Sequence, residues 1–137
     1  MRAKEYLSQL KHMKAKERRI DEEIWQIDAT ISSAPAIRYD KLNVQTSPEN
    51  RLEEAIIRME AAKISLYNLK AEYAERKAVI IKQIEALDTD LFREILLLRY
   101  VDGKAFWKIS DELGYSYKYI TNSHGNALRE FETRWLS

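Results

Sequence analysis

Five residues near the end of the chain, Tyr117, Lys118, Thr121, Asn122 and His124, carry side chains suited to the edges and phosphates of nucleic acid. An asparagine amide can pair with adenine through two hydrogen bonds. A lysine ammonium can reach guanine or a phosphate, and threonine or tyrosine can meet a thymine methyl or a phosphate. All five fall on the early turns of one helical stretch, the part of a groove-bound helix that reaches base edges.

Such side chains can act only if something aims the helix that bears them. A helix-turn-helix needs a small residue facing its second helix, a glycine in the turn and a branched apolar anchor on the second helix. Two helices crossing steeply touch most closely near their turn. Counted from Phe106, Ser110, Gly114 and Ile120 occupy positions five, nine and fifteen, the three places these roles require. Ile109 and Leu113 each stand one step earlier and supply the buried face of the first motif helix. The competing reading is an ordinary helical hairpin in which Gly114 is only a C-cap.

The flanking punctuation agrees. Asp88-Thr89-Asp90 offers N-caps for a helix carrying Leu91, Phe92, Ile95, Leu96, Leu98 and Tyr100, and Asp102-Gly103 signals a turn. A short helix is expected over about Ala105 to Leu113. Ser116 then caps a last helix ending near Leu136. Tyr115 is expected to pack and Tyr117 to be exposed. Phe106, Trp107, Phe131 and Trp135 read as core or interface.

Upstream, Tyr6, Leu10, Met13, Ile20, Ile24, Ile27 and Ile31 recur at alternating steps of four and three, with Glu17 in the one polar slot. That is a heptad seam, the mark of a helix packed on another helix, and Glu17 reads as a device that fixes register. Trp25 lies beside the seam and reads as packing. The stretch SSAPAIRYDKLNVQTSP loses the period and is expected to connect two helices. Ser47-Pro48-Glu49 then opens the second with an N-cap, a first-turn proline and an acid. Its seam reads Leu52, Ala55, Met59, Ala62, Leu66, Leu69, Tyr73, Ile80, Ile84 and Leu87, with Arg76 in one slot and a phase slip after Ile80. Nothing in the pattern says whether the seams pair within one chain or between chains.

Composition narrows the class. The 137 residues include only three Gly and two Pro, which favours long helices, and no Cys, which excludes disulfides and thiolate metal sites. No 18-residue apolar run occurs and the amphipathic N-terminus does not read as a signal peptide, so a soluble, cytoplasmic protein with no membrane partner is expected. Net charge is only +1, with basic and acidic residues nearly balanced in each of the segments 1–34, 35–87 and 88–137. Any attraction to DNA must therefore come from local placement. Lys11, Lys14, Lys16, Arg18 and Arg19 form one local concentration, either a solvated helix face or a phosphate-contacting patch. His12 and His124 show no metal-ligand spacing, and no phosphate-cradling loop or nucleophile–base pair is present. No metal, no cofactor and no enzymatic activity are therefore expected.

The run DLFREILLLRYVDGKAFWKISDELGYSYKYITNSHGNALREF resembles region 4 of bacterial sigma factors, and resembles still more the phage late-transcription regulators of the RinA/ArpU type. The likeness covers about residues 85–131, and the family's coiled-coil-like half fits residues 1–84 loosely. It implies a transcriptional regulator in a phage or prophage of a low-GC Gram-positive host, activating late or packaging genes. By position it puts base reading on Tyr117, Lys118, Thr121 and Asn122, and puts Arg129 near DNA backbone or polymerase. Ser123 departs from an apolar packing residue, and Gly125 from a better helix former at about 1 kcal/mol. Tyr117 and Thr121 stand where sigma factors carry arginines, so the resemblance does not carry the −35 target over.

The combined expectation is an all-α protein: a long antiparallel helical hairpin over residues 1–87, then a helix-turn-helix domain over residues 88–137. Its partners would be double-stranded DNA, a second copy of the chain in a homo-oligomer, and host RNA polymerase. The alternatives are a small-terminase-like packaging protein and a protein-only adaptor gripping polymerase or a repressor.

Overall fold

The computed structural model describes the backbone of residues 2–40 and 48–137, and the side chains of residues 2–33 and 49–137. The described residues are all-α, with no strand among them. Helix α1 spans Ala3–Asp40 and α2 spans Pro48–Glu85. Three shorter helices follow: α3 (Asp90–Leu96), α4 (Phe106–Leu113) and α5 (Tyr117–Phe131). A wider π-helical turn extends α3 over Leu97–Val101 and another extends α5 over Glu132–Leu136.

The first helix outruns its expected end. It was expected to stop near Ser32, yet it passes Pro35 and reaches Asp40. An internal proline forfeits one backbone bond, but a helix already more than thirty residues long continues without a fresh nucleation cost. The rest of the expected connection, residues 41–47, and Ser47 as an N-cap lie outside the described residues. Pro48 is the first residue of α2, where its missing N–H costs nothing.

By its contacts the chain forms two compact units, Lys16–Tyr73 and the combination of Met1–Ala15 with Ala74–Ser137. The expected boundary at residues 87 and 88 does not coincide with this division. A heptad pattern reveals which face of a helix is apolar, not which later segment covers it. In the larger unit, Ala3, Leu7, Leu10 and Met13 of α1 are buried with Ile80, Ile84 and Leu87, and so are Ile95, Ile109, Ile120 and Phe131 of the shorter helices. The Tyr6 and Phe131 rings lie 5.7 Å apart. The Tyr6 hydroxyl donates to Gln83 Oε1 at 2.5 Å, and the Trp135 indole N–H donates to the Gln83 carbonyl at 3.0 Å.

In the smaller unit Ile20 and Ile24 are buried within the single chain and Ile27 is half-buried. Residue numbers run in opposite senses along its contacts: Lys70 Nζ meets Asp21 at 2.6 Å and Lys63 Nζ meets Asp28 at 2.5 Å, one heptad apart. These lysines correct the expected seam. Ala62 and Leu69 are exposed, whereas Lys63 and Lys70 are half-buried, as is Lys77. With the three lysines in place, and half-buried Ile56 in the slot given to Ala55, the steps from Leu52 to Leu87 alternate four and three throughout, and the expected phase slip disappears. A lysine stem packs like an aliphatic chain while its ammonium reaches a flanking carboxylate, so a pattern scored on hydropathy selects the wrong neighbour. The bonds to Asp28 and Asp21 hold both ammonium groups above the usual lysine pKa range. Trp25, expected to pack, is 66% exposed, because it falls outside the arc that meets α2.

Candidate nucleic-acid interface

The geometry of α5 begins at the turn before it. Gly114 ends α4 in the left-handed region (φ 74°, ψ 24°), a conformation any side chain would strain, and its N–H donates to the Ser110 carbonyl at 3.0 Å. The Ser110 hydroxyl donates to the Tyr115 carbonyl at 2.5 Å, so the small residue at this position ties down the turn. Ser116 caps α5, its side chain accepting from the Tyr119 N–H at 3.1 Å. Ile120 is fully buried with Ile95 and Ile109, and Leu91, Leu98, Phe106 and Leu113 pack around them. Ser110 and Gly114 thus shape the turn, and Ile120 packs in the core beside Ile109.

The core side of α5 is formed by Ile120, Ser123, Ala127 and Phe131, all buried. Ser123 sits in that face despite its hydroxyl, which explains why an apolar residue was expected there. At about 100° per residue, Lys118, Asn122 and Arg129 point some 160–200° away from Ile120 and form one stripe. All three are exposed. The Arg129 guanidinium donates to Asn126 Oδ1 one turn back. Thr121 is half-buried at the flank and its hydroxyl donates to the Lys118 carbonyl at 3.0 Å. Tyr117 is exposed. So is Tyr115, contrary to expectation: its ring stacks on Tyr119 at 4.9 Å and no core receives it. Trp107 is 62% exposed and Trp135 39%, whereas Phe106 is half-buried and Phe131 is core.

His124 departs from the group in which the sequence placed it. It lies only about 40° around the helix from Ile120 and turns toward the packed side. Its Nε2 is hydrogen-bonded to the Tyr100 hydroxyl at 2.8 Å, and its ring stacks near Tyr100 (5.7 Å) and edge-on to Phe106 (4.8 Å). Burial, then the charges of Arg99 and Lys4, lower its pKa from 6.5 to about 4, so the imidazole is neutral at pH 7. Burial likewise pushes the Tyr100 phenol up.

This depression has a measurable consequence. Between pH 6.5 and pH 4 the unfolded chain binds a proton at His124 that the folded chain refuses, so stability falls as pH drops through that window. The shift corresponds to about 3 kcal/mol at most, and partial exposure reduces it to on the order of 1–2 kcal/mol. Urea denaturation at pH 7 and pH 4.5 should show this loss, and His124→Gln should remove that share of the pH dependence. An unchanged profile in the variant would contradict the assignment.

Among the described residues no helix is long and apolar enough to cross a membrane. No protein-family model, curated protein or solved structure matches the chain.

Proposed function

We propose that the protein is a DNA-binding transcriptional regulator that lays α5 in the major groove. On this reading Lys118 and Asn122 read or clamp the site, Tyr117 and Thr121 flank them, and Arg129 holds the backbone further along. The observation that carries the reading is the two-sidedness of α5. One face is locked into the Ile95–Ile109–Ile120 core directly after the Gly114 turn, and the other presents Lys118, Asn122 and Arg129 in one exposed line. Residues 88–137 then act as a sigma region-4-like helix-turn-helix domain, and residues 1–87 as an antiparallel helical hairpin. The resemblance to RinA/ArpU-type regulators supports the further reading that it activates phage late or packaging genes together with host RNA polymerase.

Ile20 and Ile24 of the α1 seam are buried within the single chain, so self-association on this reading draws on other apolar surface. Ile57, Ile64 and Tyr67 on α2 are exposed and supply apolar area for a second copy. The adaptor reading draws on the exposed Trp107, Tyr115 and Tyr119, aromatic residues of the kind that anchor protein contacts. Chromatin immunoprecipitation with sequencing in an induced lysogen separates the readings. A peak at a late promoter supports the regulator, a peak at a packaging site supports the terminase-like alternative, and no peak supports the adaptor.

A further inference from the structure

The His124 side of the larger unit opens into a cleft of about 280 Å³, whose chemistry is distinct from that of the exposed stripe on α5. Its walls carry four cations, Lys4, Lys11 and Lys14 from α1 and Arg99 from the turn after α3, and no carboxylate. The three lysines are spaced by seven and three, which puts them on one side of their helix. None of the four has an ion-pair partner among the described residues.

Arg99 is held in place before any ligand arrives. Its guanidinium lies over the Phe106 ring at 4.2 Å and donates through Nη1 to the Lys104 carbonyl at 3.1 Å. A guanidinium has five N–H donors, so most remain available. Beside it the Tyr100 hydroxyl and the uncharged His124 ring supply polar atoms without a competing negative charge. Four like charges lining one cleft repel one another, and an anion bound there relieves that repulsion. The fixed fork of Arg99 suits an oxyanion, above all phosphate, and the three lysines line the same cleft.

We propose that this cleft is a phosphate-binding site, formed by Lys4, Lys11, Lys14 and Arg99, for either a free phosphorylated small molecule or a phosphodiester of DNA. The proposal does not depend on the reading of α5, since the cleft would hold a free phosphate even if that helix met no DNA. It also resolves the two readings of the basic run near the N-terminus: Lys11 and Lys14 line the site, whereas Lys16, Arg18 and Arg19 do not.

The test uses the full chain and the exposed pair Lys11→Gln/Lys14→Gln, with a thermal melt to confirm folding. Inorganic phosphate and pyrophosphate are titrated by calorimetry at matched ionic strength, and duplex DNA by fluorescence anisotropy across a salt series. If the source is a free phosphate, the wild type binds phosphate or pyrophosphate, the variant loses roughly tenfold or more, and duplex binding is unchanged. If the source is DNA, the variant loses duplex affinity evenly on specific and scrambled sequences. Its log affinity against log salt also becomes shallower by about 1.8, the value for two phosphate contacts. The α5 stripe variants serve as a separate arm: their failure to alter duplex binding would count against the reading of α5 and leave this site standing. A folded variant that matches the wild type toward phosphate, pyrophosphate and duplex overturns the proposal.

Discussion

Replacing Ile120 by alanine should destabilise the protein by about 2–5 kcal/mol, the range for removing a fully buried branched side chain without collapse of the cavity. Ile120 has no exposed surface and is the point where α5 meets Ile95 of α3 and Ile109 of α4. Loss of its side-chain methyls would leave Leu91, Leu98, Phe106 and Leu113 facing a void that rigid neighbouring helices cannot close. Gly114 sharpens the effect, because the left-handed turn fixes where α5 begins and leaves it little freedom to slide into the gap. Urea denaturation read by far-UV circular dichroism should show the lower midpoint with a similar slope. A loss below about 0.5 kcal/mol, the scatter of ordinary surface substitutions, would mean that Ile120 does not anchor the helix.

The second large effect should leave the melt alone. Alanine at Tyr117, Lys118, Thr121 and Asn122 together is expected to abolish preference between a selected duplex and a scrambled one, while the thermal midpoint stays within a few degrees. Asn122→Ala alone should lose roughly 1–3 kcal/mol at the preferred site and relax base choice at one position, as for a two-bond contact to adenine. Lys118→Ala should weaken all sequences alike and flatten the salt dependence by about 0.9, as for one phosphate contact. His124 is left out of this variant, because its hydrogen bond to Tyr100 and its contact with Phe106 make it part of the packing. Retained sequence preference in the quadruple variant would refute base reading by α5 and favour the adaptor.

Features settled within a few residues were legible in the amino-acid order. Ser116 caps α5 and Gly114 ends α4 because each choice depends on backbone groups three or four positions away. Pro48 opens α2 for the same local reason. The α1 seam was also readable, since Leu10, Met13, Ile20 and Ile24 are apolar residues at apolar positions. The all-α class followed from the same periodicity and from the scarcity of glycine and proline.

What the order of residues could not decide were the partners across long separations. Lys63 and Lys70 take seam positions because Asp28 and Asp21, 35 and 49 residues away, receive their ammonium groups. His124 turns inward because Tyr100 and Phe106 arrive beside it. Leu7 is buried and the cations of α1 gather with Arg99 only once the first turns of the chain pack in the same unit as its last 64 residues. Helical periodicity specifies an angle around each helix axis, so it tells which residues share a face. It carries no information about which distant face will be met, and that meeting assigned Lys63, His124 and Arg99 their surroundings.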